Sequence, residues 1–182
     1  MKTSLFSLVI LLFLNLQVHS QIQLEETTID TATVIYGLDI PWEIIWGPDD
    51  WLWVTERFGR VSRINPENGQ QDVILDISSE VYQVGESGLL GMFLHPDFDT
   101  FPYVYMTYTY HPGDSFLEKV VRYTYQDDTL VNETVLLDSI HDSIQANINH
   151  DGSRLLITPD MKLLITTGDA LNQQGGKTKK NQ

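Results

Sequence analysis

Residues 149–169 read NHDGSRLLITPDMKLLITTGD, and the fold is decided in this stretch. A histidine sits in a polar loop, Asn149-His150-Asp151-Gly152, ahead of the apolar run Leu155-Leu156-Ile157. The dipeptide Pro159-Asp160 follows, and a second run, Leu163–Thr167, ends in Gly168-Asp169. Proline presets the first turn angle and aspartate can bond the backbone after it, so the dipeptide predicts a hairpin between two strands.

The same phrase occurs twice upstream. Trp46-Gly47-Pro48-Asp49 leads into WLWVT, and Leu94-His95-Pro96-Asp97 leads into YVYMT. Each copy reads apolar strand, Pro-Asp turn, then an apolar or aromatic strand ending in threonine. Prolines 48, 96 and 159 stand 48 and 63 residues apart. That is near the ~40–50 residues of a four-stranded propeller blade, with insertions in the second interval. Between the copies, RVSRI (Arg60–Ile64) and VVRYTY (Val120–Tyr125) add short β-rich runs bounded by Gly, Pro, Asn and Asp. No run with apolar residues at helical spacing exceeds about two turns. The alternative is a β-sandwich whose turns share a dipeptide by chance, and the matched context favours the propeller. The expected fold is all-β, with about three blades in this chain. Because a propeller closes with ~4–8 blades, residues 21–182 are expected to be the N-terminal part of a propeller, truncated at the C-terminus.

At the other end, Met1-Lys2-Thr3-Ser4 precedes the apolar block Leu5–Leu16, which exits through Gln17-Val18-His19-Ser20. A basic start, a short apolar core and small residues after it predict a signal peptide over residues 1–20. The expected product is exported, periplasmic or extracellular, with no membrane span after cleavage. Losing Lys2 takes the net charge from −14 to −15. So acidic a chain argues against nucleic-acid partners. With no cysteine, the chain has neither disulfides nor thiolate chemistry, and its hydrophobic core must hold it together.

In a blade repeat, equivalent loops gather on one face. Nine residues before each Pro stand Asp39, Ser87 and His150, with Glu86 one step further out in the second copy. Three repeats thus place a polar residue at one phase, just ahead of an apolar strand. Each has a plainer reading: His150 as a turn residue, Glu86 as a solvated loop carboxylate, Asp39 as the shaper of the turn before Pro41. His95 and His111 both precede proline, which suits extended turn geometry. The chain has no HExxH, no Gly-rich phosphate loop and no GxSxG, so zincin, P-loop and α/β-hydrolase chemistry lack their defining residues.

Four segments carry a resemblance. IPWEIIWGPDDWLWVTERFGRV (40–61), GESGLLGMFLHPDF (85–98), PYVYMTYTY (102–110) and the stretch 149–169 resemble, in order, the N-terminal half of the quinoprotein (PQQ-dependent) soluble glucose/sorbosone dehydrogenase family. The resemblance implies a six-bladed propeller holding pyrroloquinoline quinone, PQQ, over its channel mouth. Calcium (Ca2+) would help to bind and polarise the quinone, with its ligands in blades beyond this chain. An aldose sugar would be oxidised at its anomeric carbon to a lactone, and the electrons would pass to an external acceptor. His150 matches the general base beside the cofactor, and a neutral imidazole can accept a hydroxyl proton. Glu86 matches a position where the glucose enzyme has a glutamine near quinone and sugar. Gln173 falls near a substrate-contacting glutamine. Asn149 stands where the glucose enzyme has an aspartate that orients the base, so charged support for His150 is expected to be lost there. The rival reading is a non-enzymatic propeller that binds sugar or a protein partner.

Overall fold

The computed structural model describes residues 22–23, 27–113, 115–141 and 150–169. The expected signal peptide, Asn149 and Gln173 all lie outside them. The chain divides into two compact units, Met1–Thr33 and Val34–Gln182. In the first, β1 (Ile22–Gln23) pairs antiparallel with β2 (Thr28–Ile29). Its polarity suggests a loosely held lead-in, yet backbone bonding alone closes this short ladder. Among the described residues no helix is long and apolar enough to cross a membrane.

The second unit is built of antiparallel meanders. β3 (Pro41–Trp46), β4 (Leu52–Glu56), β5 (Arg60–Ile64) and β6 (Gln71–Asp76) form one four-stranded sheet in chain order. β7 (Leu89–Leu94), β8 (Tyr103–Tyr110), β9 (Leu117–Gln126) and β10 (Thr129–His141) form the next. β11 (Gly152–Ile157) and β12 (Leu163–Thr167) make a hairpin, and β7 packs against both β3 and β11. These are two blades and the opening hairpin of a third, a partial β-propeller. All three Pro-Asp dipeptides fall between a blade's first and second strands. The wider second interval has its own source, because β9 and β10 run to 10 and 13 residues and β10 slips register three times against β9.

The turns differ in who satisfies their backbone. Asp49 Oδ1 accepts the Trp53 indole N–H at 2.9 Å and the Trp51 amide at 3.4 Å. In the second turn the Asp97 amide donates instead to His95 Nδ1 at 3.1 Å. In the third, Asp160 accepts from the Thr158 hydroxyl.

The repeated threonine has a physical cause. Each first strand slips register against its partner near its start, between Pro41 and Ile44, between Leu89 and Met92, and between Gly152 and Arg154. Such a bulge leaves an amide without a ladder partner. The Oγ1 of Thr55, Thr107 and Thr166 accepts that amide from Glu43, Gly91 and Arg154, at 3.0, 3.1 and 2.9 Å respectively. Thr55 also donates to the Leu90 carbonyl at 2.8 Å, tying the first blade to the second.

Between the two complete blades lies the core. Trp53, Val61, Met92, Val104, Met106, Tyr108 and Val121 are all at most 1% exposed. Trp53 meets the rings of Phe98 and Tyr125 edge-on, at 5.7 and 5.0 Å between centroids. Burying one such large side chain contributes roughly 3 kcal/mol. β11 alternates exposed and buried residues, as a strand covered on one face must, whereas β7 is buried almost throughout. The unbroken apolar run LLGMFL therefore marks a strand covered on both faces. Gly91 lies at that contact, where a Cβ would collide with the Ser153 carbonyl.

Candidate active site

Asp39, Ser87 and His150 each stand two residues before a blade's first strand, as their common phase predicts. What they do there differs. The Asp39 amide donates to Glu56 Oε1 at 2.7 Å, from the approach loop of β3. Ser87 is fully buried and turns inward. Its Oγ accepts the Val84 amide at 2.9 Å and donates to the Val84 carbonyl at 2.6 Å, so it fastens its own loop. Glu86, exposed beside it, is the residue left to reach outward.

Glu86 and His150 come together. Glu86 Oε2 accepts the His150 backbone amide at 2.8 Å across 64 residues of sequence. His150 has φ +68°, a left-handed conformation uncommon outside glycine. On its other side, Nδ1 lies 2.9 Å from Asp169 Oδ1. The His150 side chain is 55% exposed, and that of Asp169 is 30% exposed. A carboxylate at Nδ1 holds the ring proton there and leaves the Nε2 lone pair free to accept another. The charged support expected to vanish with Asn149 is thus supplied by Asp169.

Hairpin geometry brings Asp169 there. Gly152 pairs with Thr167, so two residues further out on each strand His150 faces Asp169. Gly168 permits the approach, since a Cβ there would run into the His150 carbonyl. The Gly168 amide donates to the Asp151 carbonyl at 2.8 Å and closes the loop. Sequence reading passed over Asp169, because the register set at the Pro-Asp turn would place it opposite Asp151, and only the bulge between Gly152 and Arg154 moves it opposite His150.

His95 and His111 have packing roles. His111 stacks between Tyr82 and Phe116, at 5.0 and 4.5 Å. His95 is 8% exposed and lies against Phe101, Tyr103 and Tyr105. A cleft of about 560 Å³ opens along β3 and β7 toward their Pro-Asp turns, lined by Glu43, Phe93, His95, Asp97 and Arg154 among others. None of the loop residues above borders it. Its exposed cation is already paired, with Arg154 Nη1 2.6 Å from both Glu43 oxygens. We place the chemistry at the loops, where a ring nitrogen is both oriented and accessible.

Two carboxylates meet His150, Glu86 at its backbone amide and Asp169 at its ring. The nearest cation in these loops, Arg57, is 9% exposed and turned to backbone carbonyls. The set fits a proton acceptor beside the reacting edge of a quinone. It does not fit a grip on a cofactor's carboxylates, which like charges would repel. Among the described residues no cluster of three His, Asp or Glu side chains is placed to hold a metal ion.

Residues 38–182 match the Glucose / Sorbosone dehydrogenase family model. The chain is 35% identical over 150 residues to quinoprotein glucose dehydrogenase B of Acinetobacter calcoaceticus, covering 77% of this chain and 30% of that protein. The PQQ-bound aldose sugar dehydrogenase of Streptomyces coelicolor superposes with a TM-score of 0.66 at 25% identity, over 78% of this chain and 41% of the other. The soluble aldose sugar dehydrogenase of Escherichia coli, in its apo-form, gives a TM-score of 0.62 at 25% identity, over 74% and 39%. The chain therefore spans less than half the length of each of these relatives.

Proposed function

This chain belongs to the glucose/sorbosone dehydrogenase family, and on that premise we propose that it supplies the catalytic base of an exported, PQQ-dependent oxidation of an aldose to its lactone. The observation that carries the proposal is the His150 Nδ1 contact with Asp169 at 2.9 Å, in a ring more than half exposed. When bound, the quinone supplies the two-electron acceptor that takes hydride from the anomeric carbon. His150 Nε2 takes the proton of the anomeric hydroxyl. Asp169 holds the ring in the tautomer that leaves Nε2 basic and stabilises the imidazolium that forms. Glu86 holds the base by its backbone and would help to hold the quinone, and Asn149 and Gln173 would bind the sugar. The groups that grip the quinone and bind calcium belong to blades beyond these residues, and the fragment alone is inactive.

Dye-linked oxidation of an aldose panel by the protein in its full natural length, with and without quinone and calcium, tests this. Quinone-dependent turnover that falls at least ~10²-fold in His150→Ala, the scale of a lost general base, is the expected result. No turnover, with no quinone retained on the folded protein, would overturn the reading in favour of a propeller that binds sugar or a protein partner.

A further inference from the structure

Arg57 follows β4 directly and enters no sugar or quinone contact in the reading above, yet its bonds lead to the site. It is 9% exposed. Its Nε donates to the Ser87 carbonyl at 3.2 Å, and its Nη2 donates to the Gly85 carbonyl. Those two carbonyls flank Glu86. Its own carbonyl accepts the Leu89 amide at 2.7 Å, and its amide donates to the Ile40 carbonyl at 3.1 Å. Gly88, at φ +143°, lets the loop lie this close, for a Cβ there would strike the Arg57 carbonyl. One residue thus grips the approach loops of β3 and β7 together.

We propose that Arg57 is a positioning residue that fixes Glu86 against the His150 amide and so holds the base in its left-handed backbone conformation. The planar guanidinium suits this task. Its fork meets two carbonyls at once, whereas a lysine ammonium on a flexible stem carries the same charge without that geometry. The order of action is Arg57 to the 85–87 loop, Glu86 to the His150 amide, and the His150 ring to Asp169. Three blades contribute, none of them able to set the base alone.

Nuclear magnetic resonance of the isotope-labelled 182-residue chain tests it. The carboxylates bonded to His150 are Glu86, at its amide, and Asp169, at its ring. In the unsubstituted chain the His150 amide should exchange slowly for an exposed loop residue, and Glu86→Ala, which removes its acceptor, should speed that exchange. Arg57→Lys should speed His150 amide exchange by about tenfold, the factor of one hydrogen bond. Core amides such as Val121 should not change. An unaltered exchange rate at His150 in folded Arg57→Lys would overturn the proposal. Should that variant fail to fold, the Arg57 Nε–H of the unsubstituted chain decides: slow exchange supports the clamp, and exchange at the rate of an exposed arginine overturns it. The inference deepens the reading of His150 as base. None of its readouts needs turnover or quinone, so failure of the dehydrogenase assay and failure of the clamp are separate results.

Discussion

At His150 the site reduces to which ring nitrogen carries the proton. Asp169 accepts from Nδ1, so Nε2 is the basic position, and in the proposed reaction the charge of Asp169 would offset the imidazolium. Asp169→Asn tests this directly, because the carboxamide can donate to Nδ1 and stabilise the opposite tautomer. In the protein at full natural length, kcat/KM should fall by ~10²–10⁴, as for the same change in other His-Asp pairs. The thermal midpoint should move little, since Asp169 is partly exposed. A variant with unchanged kcat/KM would show that Asp169 does not orient the base. His150 itself was legible in the sequence, from its phase in the repeat and from the segments around it. Asp169 and Arg57 were not, because each acts through a contact that only pairing or blade packing creates.

At the scale of the element, one device recurs in three blades: a bulge near the start of the first strand, and a threonine hydroxyl that takes the amide it frees. The sequence showed this as a threonine at the end of each second strand, but not its purpose. Each bulge lies between the regular ladder and the loop that carries Asp39, Glu86 or His150. Burial sets what each copy is worth. Thr107 is fully buried, and Thr107→Val would leave the Gly91 amide buried without a partner. That change should cost about 1–3 kcal/mol, read from the urea midpoint at constant slope. Thr166 is exposed, so water can replace its hydroxyl, and Thr166→Val should cost less than about 1 kcal/mol. Equal losses at the two sites would mean that the hydroxyl–amide bond is not the reason for the repeat.

For the whole molecule, burial within the second blade also governs its response to alkali. Tyr108 and Tyr123 are 0% and 4% exposed. Their hydroxyls donate to Glu133, at 3.3 and 2.5 Å respectively. Burial, reinforced by the Glu133 charge, raises the pKa of both phenols above the ordinary value of 10.0. Tyr125 is raised too, first by burial and then by its bond to Asp128. A phenol whose folded pKa is raised binds its proton more tightly in the folded chain. Its stabilisation is whole below about pH 10 and is lost as pH rises beyond it. The urea midpoint should therefore fall progressively as pH rises above about 10, with phenolate absorbance appearing together with unfolding. Tyr123→Phe should flatten that fall, and a slope unchanged by it would mean that Tyr123 does not carry the effect. An inter-blade tie is Arg63 of the first blade, which reaches Asp49 at 3.1 Å and Asp128 of the second blade at 3.0 Å. Apolar side chains also stand exposed on β3 (Ile44, Trp46), β11 (Leu156) and β12 (Leu164).

The sequence by itself determined the all-β class, the hairpin turns, the blade repeat and the phase at which Asp39, Ser87 and His150 stand. Each of these is a local matter: turn angles set by proline, side-chain alternation along a strand, and chain distance between like segments. Tertiary structure alone decided that Ser87 turns inward, that Asp169 replaces the charge missing at Asn149, and that Glu86 grips a backbone amide 64 residues away. It also made Arg57, unremarked in the sequence, the clamp on two loops. Hydrogen bonds between distant residues have no periodicity to read. They exist only once hydrophobic packing of blade on blade has brought the partners within about 3 Å.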